Sequence, residues 1–366
     1  MKPNTRKQYK MLLSQVANLN HIEPEDVAAK FTVDPTVTQR LEDKIQESSS
    51  FLKQINIIPV DEQSGSKVGL GIDRPIASTT NTDDKEREPM DPSSLDEVGY
   101  VCTQTNFDTA LKYSKLDAWA KFKDFQIRIR NQIVKRQGLD RIMIGWNGIS
   151  RAKTSDITVN KLLQDVNIGW LQKVRKGAPE QVMDKVLGED GSVVSEKIRI
   201  GIDGDYHNLD ALVMDAVNEL IAPWFQDDTE LVAVVGRSLL ADKYFPLVNQ
   251  EQPNTEALAA DIIISQKRLG GLQAVRVPSF PDNTIFITRL DNLSIYWQDG
   301  TRRRHIIDNP KRDRIENYES VNEAYVVEDY EGVALIENIQ ILKAKAPAPA
   351  PTGQQPEQQP TENQEG

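Results

Sequence analysis

The chain has little of what most enzymes and extracellular domains are built from. It has one cysteine, Cys102, in 366 residues. A single cysteine excludes a disulfide framework within the chain and fits a reducing compartment. Its three histidines, His21, His207 and His305, lie far apart without metal-ligand spacing. Mean hydropathy is -0.50, and no run approaches the ~18 apolar residues of a membrane span. Apolar residues make up 39% of the chain, which becomes roughly 42% when glycine is counted and tyrosine is not, against a usual 45–50%. Part of the chain is therefore unpacked or lies in extended surface segments.

The familiar chemical signatures are also missing. There is no phosphate loop, GxSxG elbow, HExxH or CxxC. Asp203-Gly204-Asp205 begins like a calcium loop, but Ala211 and Met214 occupy the ninth and twelfth positions. Val234-Val235-Gly236 has one glycine and reads as a packing turn. Cys102 sits in a strand pattern, where a buried thiol is inert. No cofactor and no catalytic residue is expected.

What is present is uneven charge. The net value of -11 argues against a dedicated nucleic-acid binder. The first 20 residues carry four basic groups and no acid. Residues 82–97 carry seven acids and two bases, and residues 302–314 six bases and two acids. The last 21 residues carry three acids, no base and five prolines, a composition expected to stay disordered.

Hydrophobic spacing supplies the elements. Tyr9, Leu12, Leu13 and Val16 mark one face of a short helix, and 24–31 reads as a second. These form either a helical cap on the core or a detachable pro-segment or partner-binding arm. Asp34-Pro35 is a helix start, with a capping carboxylate before an N1 proline. Val37, Leu41, Ile45, Ser48 and Leu52 follow at helical steps. Residues 55–60 and 67–72 read as strands around a Ser64-Gly65-Ser66 turn, and 101–107 as a returning strand. The polar stretch 73–99 between them is a disordered loop or a hairpin ordered by another chain.

The strongest helix signal is 116–137. It has two apolar faces, one with Trp119, Phe122, Phe125, Ile129 and Ile133, the other with Leu116, Ala120, Ile127 and Val134. Lys121, Arg128 and Lys135 form a basic stripe, either its wet side or a face toward a polyanion. Val186 and Val193 flank a hairpin turn at 189–191. Farther on, helices are expected at 209–220 and 238–249. Strands are expected at 231–235, 262–264, 274–277, 284–288, 294–297, 325–327 and 333–336. The class is α+β without a regular βαβ repeat. Projecting arms of this kind are stable when neighbours cover them, which points to a multimer.

Five stretches carry a resemblance. They are Lys30 to Gln39 (KFTVDPTVTQ), Asp124 to Gln137 (DFQIRIRNQIVKRQ), Leu239 to Asn249 (LLADKYFPLVN), Asp261 to Pro281 (DIIISQKRLGGLQAVRVPSFP) and Glu316 to Tyr330 (ENYESVNEAYVVEDY). In order across roughly residues 1–340, they closely resemble the major capsid proteins of Peduovirus-type temperate tailed phages. Residues 78–99 and the Pro/Gln tail depart from that pattern.

The resemblance implies a tailed-phage major capsid fold of Hong Kong 97 type. Its parts would be a pro-segment (1–31), an N-terminal arm (32–54) and an extended hairpin loop (55–107). A peripheral domain (108–204 and 301–343) would hold a spine helix at about 111–137. An axial domain (205–300) and a disordered tail (344–366) would complete it. The resemblance further implies hexamers and pentamers in an icosahedral shell around double-stranded DNA, assembled in the bacterial cytoplasm. The implied partners are a scaffold-protease protein and a portal protein, with no membrane. It places a maturation cut near Phe31-Thr32. Charge complementarity adds two expectations: the acidic 82–97 segment meets Arg302, Arg303 and Arg304 of a neighbour, and Lys121, Arg128 and Lys135 face packaged DNA. The competing classes are another virion protein, such as a tube or portal subunit, and a cytoplasmic enzyme using Gly236 for a nucleotide.

Overall fold

The computed structural model describes residues 1–69, 77, 79–87, 94–120, 122, 124–188, 190–248 and 267–342. The chain opens with helix α1 (Pro3–Leu19), a 3₁₀ turn (Asp26–Ala28) and the two-residue strand β1 (Phe31–Thr32). The helix expected over 24–31 is thus a turn and a strand, because the β-prone run Phe31-Thr32-Val33 finds backbone partners in residues 302–304. Helix α2 (Pro35–Glu47) starts where the sequence places it. The Asp34 carboxylate accepts the Thr36 N–H at 2.8 Å, and Pro35 occupies the first turn.

Strands β2 (Asn56–Val60), β3 (Ser64–Gly69), β4 (Ser94–Val101), β5 (Thr103–Asn106) and β6 (Thr109–Lys112) follow. Ser64-Gly65-Ser66 is not a turn but the start of β3, which pairs antiparallel with β4, while β2 pairs parallel with a distant strand. The single helix expected over 116–137 is two, α3 (Tyr113–Trp119) and α4 (Phe125–Asn147). Residues 111–112 of the expected spine belong to β6, and α4 runs ten residues beyond 137. Across the break Leu116 of α3 and Ile129 of α4 both face α1, while Val134 farther along α4 packs in the cluster around Trp146 and Trp170.

The chain continues with α5 (Trp170–Gly177), β7 (Val182–Met183), β8 (Val186–Leu187), β9 (Val193–Ser195) and β10 (Ile198–Ile200). β8 and β9 form the expected hairpin around Gly191, whose φ of +76° suits glycine. Then come α6 (Leu209–Leu220), α7 (Pro223–Gln226), β11 (Val232–Val235) and α8 (Arg237–Val248). The strand expected at 262–264 lies outside the described residues. β12 (Arg268–Leu269), β13 (Leu272–Val275), β14 (Ile285–Thr288) and β15 (Leu293–Gln298) lead to β16 (Arg303–Asn309), β17 (Arg314–Val327), β18 (Ala334–Ile336) and β19 (Ile339–Ile341).

Two main sheets organise these strands. The first is seven-stranded, ordered β1-β16-β17-β15-β2, with β5 and β6 also on β17. The second is six-stranded, ordered β12-β13-β11-β14-β18-β7. They cross the expected 300/301 boundary: β15 pairs with β17 and β2, whereas β18 pairs with β14 and β7.

The three largest apolar clusters among the described residues hold the layers together. One packs α6 and α8 on β11, β14 and β18. A second joins α2, α4 and α5 to β15 and β17 around Trp146 and Trp170, whose rings meet edge-on at 5.0 Å. Trp170 fits because position 145 is glycine; a Cβ there would lie 2.2 Å from the indole. The third seats α1 on Leu116, Ile129, Ile306 and Ile315.

Candidate functional site: the N-terminal junction and its charge network

The N-terminal segment is docked on the body along its length. Tyr9, Val16 and Ala17 of α1 are buried against Leu116, Ile129, Ile306 and Ile315. Burial and the nearby Asp308 carboxylate push the Tyr9 hydroxyl up to about 12. At the start of α1, the Thr5 hydroxyl donates to the Asp117 carboxylate at 2.5 Å and the Lys2 N–H at 3.0 Å. These bonds hold the Asp117 carboxyl below its ordinary value. At its end, Asn20 Oδ1 accepts the Asp34 N–H at 3.0 Å. Asn20 therefore reaches across Phe31 and Thr32 to the residue that caps α2. β1 itself pairs antiparallel with β16, Phe31 opposite Arg304 and Thr32 opposite Arg303.

Beside this junction lies a network of buried charge. Glu42 on α2, Arg141 on α4, Arg302 before β16, and Glu319 and Glu323 on β17 are all at most 4% exposed. Arg141 donates to both Glu42 oxygens and, at 2.9 Å, to Glu323. Arg302 bridges Glu42 and Glu319. Burial opposes the charge of Glu42, but Arg141 and Arg302 outweigh it and hold the carboxyl below its usual range. At Glu323 burial wins over Arg141 and the carboxyl is pushed up. Two cations face three carboxyls, and Glu323, which only Arg141 pairs among the described residues, is the one pushed up. It fastens the arm helix, the long helix and the central strand in one register.

This corrects one expectation. Arg302 is 1% exposed and spends its guanidinium inside its own chain, so it presents no charge to a neighbour. Arg303 is exposed, and Arg304 is half-buried, donating to Asn317 Oδ1 at 2.7 Å. A cleft of about 490 Å³ runs past Lys30, Asp108, Arg303, Arg304 and Tyr318. On the basic stripe, Arg128 and Lys135 are exposed and Arg128 is paired with Asp124 at 2.8 Å; Lys121 lies outside the described residues. Asp83, Asp84 and Glu86 of the acidic segment are exposed, and 88–93 lie outside the description.

Sequence reading missed Glu42, Arg141, Glu319 and Glu323. The available signal was Glu42 itself, which shares a helical face with the buried Thr38 and Ile45. Among the described residues no group of three His, Cys, Asp or Glu side chains is placed to hold a metal ion. Burial pushes the Cys102 thiol up to about 11, which leaves it unreactive. A Cβ at Gly236 would meet the Pro281 carbonyl at 2.9 Å, the geometry of a packing turn.

The family described as "Phage major capsid protein, P2 family" matches residues 8–339. The chain belongs to that family. It is 56% identical over 351 residues to the capsid proteins of Escherichia phage P2, covering 96% of this chain and 98% of the relative. It is 41% identical over 342 residues to the major capsid protein of Serratia phage KSP20, covering 92% and 96%. A chain from the satellite phage P4 procapsid that includes a size-determination protein superposes with a TM-score of 0.78 at 54% identity, covering 93% of this chain and 99% of that one. The chain is thus a phage capsid-shell subunit with the mixed helix-and-sheet fold of the Hong Kong 97 type.

Proposed function

We propose that this chain is the precursor of the shell subunit and that its first 31 residues are removed by a cut between Phe31 and Thr32. The observation that supports this is the junction. Everything before it is a separate layer laid on the body, and a new capped helix starts two residues after it. The mature subunit then assembles with copies of itself into hexamers and pentamers around double-stranded DNA, in the bacterial cytoplasm. A scaffold-protease protein and a portal protein act as partners, and the subunit has no catalytic role. Residues 108–204 with 301–343 would serve as the peripheral part and 205–300 as the axial part, with the sheet exchange at β15 and β18 joining them.

Exposed apolar side chains support neighbours on several faces. Phe122, Ile127, Ile149, Ile157, Val159 and Ile202 are each 46% or more exposed. Arg303 and Arg304, with the exposed Lys311 and Arg312, replace the original triplet as the basic surface for an acidic segment. Arg128 and Lys135 remain a candidate weak contact with DNA. Mass spectrometry of subunits from purified particles is expected to place their N-terminus at Thr32. Particles whose subunits keep residues 1–30 would overturn the precursor reading.

A further inference from the structure

We infer that the β1–β16 pair is a gate on processing: the Phe31–Thr32 bond is closed to a protease until β1 lifts from the sheet. This rests on the reading of that bond as the cut. A protease must turn the scissile carbonyl oxygen toward its own donors and seat a neighbouring side chain in a pocket.

Neither group is free here. The Val33 N–H donates to the Arg302 carbonyl at 2.9 Å, and the register continues through Thr32 opposite Arg303 and Phe31 opposite Arg304. In an antiparallel pair, residues that exchange both backbone bonds alternate with residues that exchange none. Phe31 and Arg304 are therefore a bonded pair. The scissile carbonyl accepts the Arg304 N–H, and the Thr32 N–H points off the free edge. The Phe31 side chain packs into the cluster formed by Leu116, Ile129, Ile306 and Ile315. Both flanks are tied down as well, upstream by α1 and downstream by the Asp34 cap, with Asn20 bridging them.

The gate is nevertheless light. β1 is two residues long, and among the described residues β16 is its only strand partner. Short edge strands open locally without unfolding the rest. Cleavage then reports how often β1 detaches, so any contact that pulls on α1 or β16 sets its timing.

A reversible staple tests this in the full-length chain. Thr32 and Arg303 form the non-bonded pair, whose Cα separation of about 4.5 Å accepts a disulfide. The variant T32C/R303C is digested with chymotrypsin, which cuts after phenylalanine, in oxidised and reduced form, and the product is reduced and weighed. The fragment beginning at residue 32 is expected to form about tenfold or more slowly from the oxidised protein, since cleavage follows the open population. Equal rates overturn the gate. In the wild-type chain, amide exchange supplies a second readout: the Arg304 N–H should be protected and the Thr32 N–H should exchange freely. Equal exchange also overturns it. Co-expression with the processing protease tests the underlying reading separately, because a product beginning elsewhere than Thr32 removes the cut and leaves the measured gate standing.

Discussion

Arg141→Met removes a cation that two buried carboxyls share and keeps most of its volume. Glu42 retains Arg302, but Glu323, fully buried, loses the one ion-pair partner it has among the described residues. Removing one member of a buried pair costs about 3–5 kcal/mol, mostly as the penalty on the charge left behind. For a chain of this size a loss of that order lowers Tm by about 4–7 °C. The pH dependence carries the diagnosis. In the wild-type chain the Glu42 carboxyl is held low, so its contribution is present above the unfolded carboxylate value and is lost as pH falls through the folded one. Glu323 has the opposite sign. Its folded value is raised, so native stability declines as pH rises from the ordinary carboxylate value through the raised one. Without Arg141 both carboxyls move up. The deficit of the variant should therefore be small near pH 5 and widen by pH 8. Thermal melts of the isolated full-length chain at both values decide it, and Arg141→Met with Glu323→Gln should regain much of the loss. A deficit below about 1 kcal/mol, or one equal at the two pH values, would refute the network as a source of stability.

Three further outcomes follow from the same geometry. Gly145→Ala places a methyl 2.2 Å from the Trp170 ring, so it should lower stability by about 1–3 kcal/mol in denaturant melts even though alanine favours helices. Arg302→Glu and Arg303→Glu should separate folding from assembly: the first sets a buried carboxylate beside Glu42 and Glu319 and should lose the soluble fold, while the second should keep its melt and reduce shell yield seen by electron microscopy. After cutting at residue 31 the segment 1–31 should stay bound, because Tyr9, Val16 and Ala17 remain buried and Thr5 remains on Asp117; co-elution on gel filtration is expected for the wild type and its loss for Tyr9→Ala with Thr5→Ala.

Much of this architecture can be read from side-chain spacing, and the exceptions share a physical cause. The Asp34 cap, α6 after Asn208 and the β8–β9 hairpin are local: their signals sit within four residues of what they specify. β17 is not local. Spacing suggests a strand only at 325–327, yet the strand runs 14 residues from Arg314. Its hidden part contains Glu316, Asn317, Glu319, Ser320 and Glu323, residues that mark a surface in almost any sequence, and all five are buried. Arg314 answers Glu316 locally, but the other partners come from other elements: Arg141 for Glu323, Arg302 for Glu319, Thr109 and Arg304 for Asn317. The basic run 302–314 misleads for the complementary reason. Its net charge suggests an outward patch, but alternation along β16 turns Ile306 into the core, and Arg302 answers a carboxylate on a helix 260 residues earlier. Charge counted along the sequence shows where ions are, and only the sheet register shows which of them still face outward. The proposed cut depends on that register as well. Phe31-Thr32 is an unremarkable dipeptide until β16 fixes the direction of its carbonyl.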